Sequence, residues 1–93
     1  MAFTLRLTPE AEEAIARLDA SRLKKVRKTL GRLETNPRHP GLHTHEYQSL
    51  SGPNGEKVWE AYVESRTPAA YRVFFCYGPS RGVITIIAVT PHP

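Results

Sequence analysis

The 93-residue chain suffices for one domain and is too short for two, because neither half could bury a core of its own. Its hydrophobic fraction of 40% and charged fraction of 24% are those of an ordinary globular protein and exclude a disordered or fibrous one. No apolar run reaches the length of a membrane span, so no membrane contact is expected. We predict a single domain over residues 1–93.

Two features bear on the compartment. The one cysteine, Cys76, rules out an intramolecular disulfide and favours a reducing environment. The first residues, Met1 to Arg6, lack the continuous apolar segment of a signal peptide. The sequence therefore predicts a cytoplasmic protein.

The net charge of +4 is concentrated in one short segment. Residues 1–20 carry two basic and four acidic groups, and residues 39–93 carry four of each. Residues 21–38 carry seven basic groups against Glu34 alone, a balance of +6. Such a segment suits a protein that meets a polyanion, with an ordinary solvated helix face as the alternative.

The first predicted elements are a strand and a helix. Residues 3–7 alternate between apolar and polar, which is typical of a half-buried strand. Thr8 and Pro9 then mark a helix start, because threonine caps free N–H groups and proline has none to lose in the first turn. Residues 19–21 break this helix.

A second helix follows the break. Leu23, Val26, Leu30 and Leu33 are spaced three, four and three residues apart, which buries one side of a helix. Asn36 before Pro37 ends it, because a residue that precedes proline avoids the α region. The short connection predicts that the two helices form an antiparallel hairpin.

The rest of the chain predicts strands. Leu42 to Leu50 is a short polar edge strand, and Asn54-Gly55 is a strong turn signal. Residues 57–64, 70–77 and 83–90 are richer in aromatic and β-branched residues, and the last segment is apolar on both faces, as a central strand is. The fold class is therefore α+β in the order β-α-α-β-β-β(-β), with the helices packed on one face of a small, mainly antiparallel twisted sheet.

Arg72 is the first candidate for chemistry. If the bulky residues Tyr71, Val73 and Phe75 face the helices, strand alternation turns Arg72 out of the uncovered face. A guanidinium on a rigid strand suits two-donor binding of a phosphate. The alternative is a cross-strand pair with Glu60 or Glu64.

The histidines are the second candidates. His92 follows the last strand, and its imidazole can act as general acid or base near neutral pH, with a frayed terminal residue as the alternative. His43 and His45 fall on one face of a strand and could bind a metal ion, but no third ligand stands at a recognisable spacing. No metal ion and no cofactor are therefore expected.

The whole chain, in order and length, resembles toxins of the RelE/ParE superfamily. The resemblance rests on a Gly-x-Lys-x-Trp-Glu strand at residues 55–60, a Tyr-Arg-Val-Phe-Phe strand at residues 71–75 and a last apolar strand that ends in His92. It implies a toxin of a type II toxin–antitoxin pair, and in many members a ribosome-dependent, metal-independent mRNA endoribonuclease that inhibits translation. The other branch of the superfamily inhibits DNA gyrase without catalysis, and a third reading is an inactive fold that only binds its antitoxin.

The resemblance also implies roles for individual residues. Arg72 matches the strand arginine that stabilises the transition state, and His92 resembles a C-terminal general acid. The branch with that histidine usually follows it with tyrosine or another hydrogen-bonding residue, whereas this sequence has Pro93. Glu46 is the best chemical candidate for the general base in residues 43–50, and the resemblance matches Lys57 to the strand lysine of the RelE branch.

The partners implied are a cognate acidic antitoxin, the ribosome and mRNA. Binding to ribosome or RNA is expected from six basic residues: Lys24, Lys25, Arg27, Lys28, Arg32 and Arg81. The antitoxin is also expected to bind segment 21–38, so the antitoxin and the ribosome should not occupy this surface at the same time. The sequence leaves open whether the free protein is a monomer.

Overall fold

The computed structural model describes residues 2–92, which form a five-stranded sheet, two α-helices and one 3-10 turn. The elements in chain order are β1 (Thr4–Leu7), α1 (Pro9–Ala16), α2 (Ala20–Thr35), the 3-10 turn (Pro40–Leu42), β2 (His45–Ser51), β3 (Lys57–Tyr62), β4 (Tyr71–Tyr77) and β5 (Val83–Pro91). This order confirms the α+β class and the predicted succession of elements. None of the helices in the described part of the chain is long and apolar enough to span a bilayer.

The sheet has the strand order β1-β5-β4-β3-β2. β1 pairs in parallel with β5, and the other neighbours are antiparallel. β5 therefore lies inside the sheet and β2 at its edge, as their patterns predicted. β3 ends at Tyr62, earlier than expected, because the N–H groups of Val63 and Glu64 both turn to the carbonyl oxygen of Tyr71.

Side-chain caps fix where the two helices begin. Thr8 accepts a hydrogen bond from the backbone N–H of Ala11 at 3.2 Å, with Pro9 in the first turn. Asp19 accepts one from the backbone N–H of Arg22 at 2.8 Å, so α2 begins at Ala20, inside the break predicted at residues 19–21. Each cap satisfies a donor that the helix itself leaves free.

The core lies on one face of the sheet. Its fully buried members come from both helices, the 3-10 turn and three strands: Ala11, Val26, Leu33, Leu42, Ala61, Val73, Phe75, Ile84, Ile86 and Val89. The alternate residues of β3 and β4 point to the other face, which we call the open face. The helices thus cover one side of the sheet, and the open face carries Glu60, Tyr62, Arg72 and Phe74.

Candidate active site

A buried carboxylate lies at the centre of the open face. The side chain of Glu60 is 1% exposed, and its register partner on β2 is His45. His45 Nε2 lies 2.6 Å from one oxygen of Glu60, and His92 Nδ1 lies 3.0 Å from the other. Arg72 Nε is 3.9 Å from the second oxygen. These four residues are called the open-face cluster; a charge this deeply buried requires such partners.

Strand register assembles the cluster. Arg72 stands between Tyr62 on β3 and Thr90 on β5, and Glu60 lies two residues from Tyr62 on the same face. His92 follows β5, and its backbone N–H donates to the carbonyl oxygen of Ala70 at 2.8 Å, which holds the residue beside β4. The sheet thus gathers groups from β2, β3, β4 and the end of β5.

The guanidinium of Arg72 is held on two sides. It lies over the ring of Tyr62, 3.7 Å from the ring centre. Nη1 donates to the backbone carbonyl oxygens of Glu64 and Tyr71. Nε is buried without a hydrogen-bond partner, and no residue among 2–92 accepts from Nη2. Arg72 therefore lies on the open face as expected, close to both glutamates offered as alternative partners, and keeps donors for a ligand.

The two histidines of the cluster differ in their free atoms. His45 Nδ1 faces the carbonyl oxygen of His43 at 2.8 Å while its Nε2 faces Glu60, so both of its ring nitrogens lie at hydrogen-bond distance from oxygen atoms. His92 uses Nδ1 toward Glu60, and its Nε2 has no hydrogen-bond partner in residues 2–92. His92 therefore has one nitrogen available to exchange a proton with a ligand.

A third imidazole borders the cluster. His43 has left-handed backbone (φ 49°) at the end of the 3-10 turn, and its ring centre lies 5.0 Å from that of Tyr62. Neither ring nitrogen of His43 has a hydrogen-bond partner in the described range 2–92. Tyr62 thus contacts both the Arg72 guanidinium and a free imidazole.

The architecture matches that of solved toxin structures, although no protein-family model matches the chain and no curated protein matches its sequence. A chain of the archaeal RelE–RelB complex from Pyrococcus horikoshii aligns with TM-score 0.70 and 18% identity over 98% of this chain and 96% of its own. The YoeB/ParE toxin from Agrobacterium tumefaciens aligns with TM-score 0.70 and 15% identity over 97% of this chain and 99% of its own. A chain of the intact E. coli RelBE toxin–antitoxin complex aligns with TM-score 0.69 and 14% identity over 99% of each chain.

The chain has the RelE/ParE toxin fold. At identities of 14–18% these likenesses establish the architecture, and the chemistry has to be argued from the residues on the open face.

Two of the predicted site residues do not join the open-face cluster of this RelE/ParE fold. Glu46 is opposite Trp59, in the alternation that faces the helices, because its neighbour His45 occupies the open-face position. Lys57 is exposed at the start of β3 in the same helix-facing alternation. Pro93, the departure from the family pattern, lies outside the described residues.

The six predicted RNA- or ribosome-binding residues separate into two regions. Five of them lie on α2: Lys24, Lys25, Arg27, Lys28 and Arg32. Arg81 is exposed in the turn before β5, at the opposite end of that strand from His92.

His43 and His45, considered as a metal pair without a third ligand, both lie beside Tyr62, with ring centres 5.0 Å and 6.0 Å from that of the tyrosine. The ring of His45 also faces Glu60. Within residues 2–92, no group of three or more histidine, cysteine, aspartate or glutamate side chains is arranged to hold a metal ion.

Sequence reasoning named Glu60 only as an alternative partner for Arg72. The available signal was a glutamate in the middle of an otherwise apolar strand, Val58-Trp59-Glu60-Ala61-Tyr62. A charge at such a position is buried only if other polar groups surround it, so it marks a cluster. Which groups surround it depends on strand register.

Glu64 fastens α2 to the sheet beside this cluster. Burial opposes its ionisation, but the backbone N–H of Tyr71 and the side chains of Lys25 and Arg22 outweigh burial and hold the pKa of the carboxyl below its ordinary value. Arg22 lies 3.3 Å and Lys25 3.1 Å from its oxygens. The side chain is 11% exposed, so these contacts are only partly screened by water.

We expect Glu64→Gln to lower the free energy of unfolding by about 1 kcal/mol at neutral pH, since the amide loses both charge-assisted contacts with cations that are themselves half exposed. Because the folded pKa is depressed, the contribution of Glu64 is complete above its ordinary pKa near 4.5 and disappears as the pH falls through the folded value. Urea unfolding from pH 7 to pH 3 should therefore bring variant and wild type together. Glu34→Gln, which replaces an exposed carboxylate on α2, is the control, and a constant difference for Glu64→Gln would contradict the argument.

Proposed function

We propose that this protein is the toxin of a type II toxin–antitoxin pair, and that it inhibits translation as a ribosome-dependent, metal-independent mRNA endoribonuclease. The observation that carries the proposal is the open-face cluster, in which His92 and Arg72 lie beside the buried Glu60 and each keeps a nitrogen without a hydrogen-bond partner in residues 2–92. The toxin fold supports the class. The reaction that these groups suit is transesterification of RNA.

In this reaction the 2′-oxygen of one ribose attacks the adjacent phosphorus and displaces the 5′-oxygen of the following nucleotide. A base takes the 2′-hydroxyl proton, the new O2′–P bond forms, and the P–O5′ bond breaks. The leaving oxygen receives a proton from an acid, which yields a 2′,3′-cyclic phosphate and a 5′-hydroxyl end. General acid–base assistance typically contributes about 10²–10⁴-fold, and stabilisation of the extra negative charge adds to it.

The proposed roles follow from the free atoms. His92 donates through Nε2 to the 5′-oxygen, because Glu60 engages Nδ1 and fixes the ring. Arg72 and the ring of His45 stabilise the negative charge on phosphorus. His43 takes the 2′-hydroxyl proton, since its ring nitrogens are free and its ring contacts Tyr62, the residue over which the Arg72 guanidinium lies. The helix-facing alternation of Glu46 makes it unsuited to the role of base.

An acidic antitoxin is the proposed protein partner, as in the RelE–RelB and RelBE complexes that share the fold. Its extended acidic segment would contact the basic residues of segment 21–38. We expect the antitoxin and the ribosome to compete for that surface. A stable ternary complex with full antitoxin retention would contradict the competition.

The test is cleavage of mRNA on programmed ribosomes with mapping of the new ends. We expect cuts that leave 2′,3′-cyclic phosphate and 5′-hydroxyl termini. Arg72→Ala and His92→Ala should each lower the rate by about 10²-fold or more, because each removes a group that acts only in the transition state. Circular dichroism would verify that both variants fold. Unchanged cutting by both would refute the assignment.

The other branch of the superfamily gives a distinct result. Inhibition of gyrase supercoiling without RNA cleavage would replace the proposal by a non-enzymatic gyrase inhibitor. A protein that binds its antitoxin but causes no growth arrest when induced would be an inactive toxin fold.

A further inference from the structure

A basic cavity lies between α2 and the connection from β3 to β4. It has a volume of about 260 Å³ and is lined by Lys25, Lys28 and Arg32 from α2 together with His43, Tyr62 and Glu64. The three α2 cations are spaced three and four residues apart and so lie on one side of the helix. Lys24 and Arg27, which belong to the same basic segment, do not line the cavity.

The walls of this cavity are fixed by packing. The buried Thr29 donates its hydroxyl to the carbonyl oxygen of Tyr62 at 3.3 Å, which joins α2 to β3 at the cavity floor. The guanidinium of Arg32 lies against Gly41, since a Cβ built on that glycine would be 2.8 Å from Arg32 Nη1. Packing therefore fixes both the walls of the cavity and the place of the Arg32 guanidinium.

Residues 2–92 do not balance the positive charge in the cavity. The one carboxylate in its lining, Glu64, already has Lys25 at 3.1 Å and Arg22 at 3.3 Å on its two oxygens. In the range 2–92, neither Lys28 nor Arg32 forms an ion pair. Two unpaired cations and an imidazole facing one cavity are a site for an anion.

The cavity adjoins the open-face cluster through shared residues. Tyr62 lines the cavity, and the Arg72 guanidinium lies 3.7 Å from the centre of the Tyr62 ring. Glu64 lines it too, and its carbonyl oxygen accepts a hydrogen bond from Arg72 Nη1. The cavity and the proposed site of the scissile phosphate thus share Tyr62 and Glu64.

We propose that this cavity is a second phosphate-binding subsite, which takes a backbone phosphate of the substrate RNA adjacent to the one that is cut. The proposal rests on the proposed function for the identity of the strand. The cavity is smaller than the roughly 300–1,000 Å³ of pockets that enclose a drug-sized ligand, so it suits a phosphate with its sugar. It assigns Lys28 and Arg32 to substrate binding and separates them from the other basic residues of α2.

The experiment measures binding of a short, fluorescein-labelled single-stranded RNA whose 2′-O-methyl riboses prevent cleavage. The double variant Lys28→Ala/Arg32→Ala is compared with Lys24→Ala/Arg27→Ala, which removes the same charge from the same helix outside the cavity. We expect the cavity variant to raise Kd about tenfold or more and the control to change it by about twofold. The slope of log K against log salt should fall by about 0.7 for the lost phosphate contact. Thermal unfolding would verify that both variants keep the fold.

A neutral linkage identifies the phosphate. Methylphosphonate placed at successive positions of the same RNA should weaken binding by wild type and by the control variant at one position, and have no further effect in the cavity variant. Equal weakening by the two double variants would overturn the subsite in favour of a solvated helix face. Lost ribosome or antitoxin binding with unchanged RNA binding would overturn it in favour of those partners.

The two proposals fail separately. The RNA is not cut, so the subsite can be measured even if programmed ribosomes yield no cleavage. Cleavage that is insensitive to both double variants, with equal affinities for the RNA, would leave the nuclease proposal in place and remove the subsite.

Discussion

Glu60→Gln is expected to slow RNA cleavage by about 10²–10⁴-fold, the range seen when a carboxylate that orients a catalytic imidazole becomes an amide. Glu60 contacts His45 through one oxygen and His92 through the other. An amide offers one oxygen and one N–H donor group, so it cannot accept hydrogen bonds from both rings. It also removes the negative charge beside Arg72. The loss should fall on kcat, because the reacting groups and not the binding surface are disturbed.

The matched control for this prediction is Glu46→Gln. Glu46 lies on β2 next to His45 but in the helix-facing alternation, so we expect its substitution to change kcat by no more than about twofold. The ring nitrogen NMR signals of His92 provide a readout independent of activity: Nδ1 should carry the proton in wild type and lose that fixed tautomer in Glu60→Gln. Equal rates for the two variants, or a stronger effect of Glu46→Gln, would contradict the proposed arrangement.

Local signals in the sequence predicted most of the fold. Thr8 and Asn36-Pro37 mark helix boundaries through capping and through the restricted backbone before proline, and both effects operate within a few residues. The doubly apolar segment 83–90 required a position inside the sheet, and β5 lies between β1 and β4. Alternation along residues 71–77 put Arg72 on the open face because period two is a property of the strand itself.

The composition of the open-face cluster depends on register between strands, which no local pattern fixes. The pairing of β2 with β3 shifts between Glu46 and Ser51, where five residues of β2 pass along two of β3. A shift of one residue would turn Glu46 to the open face and His45 to the helices. The carboxylate of Glu46 suits the role of base by its chemistry, but the face on which it lies depends on the register of β2 against β3.

The basic segment illustrates a related limit. Its count of seven cations predicted contact with a polyanion, but the count does not distinguish Lys28 and Arg32 from Lys24 and Arg27. The position of Gly41 and the hydrogen bond between Thr29 and Tyr62 make that distinction, and both are contacts between distant parts of the chain. Tertiary contacts therefore decide which cations of the charged helix line the cavity.

Arg72→Lys is expected to lower the cleavage rate by about 10²–10³-fold although it keeps the charge, the range for loss of one preorganised transition-state donor. The guanidinium donates through Nη1 to the carbonyl oxygens of Glu64 and Tyr71 and lies with its flat face on Tyr62, and these contacts leave Nη2 without an acceptor in residues 2–92. An ammonium group has a single nitrogen, so it cannot bind those carbonyl oxygens and also reach a phosphate.

Rates on programmed ribosomes for wild type, Arg72→Lys and Arg17→Lys check this prediction, with Arg17 as an exposed arginine on the helical side that pairs only with Glu13. We expect Arg17→Lys to behave as wild type. If Arg72→Lys kept nearly full activity, positive charge alone would suffice at this position, and the contacts that fix the guanidinium would serve the fold and not the reaction. A loss as large as that of Arg72→Ala would instead place the catalytic contribution in the fixed direction of the free nitrogen, since the lysine retains the charge.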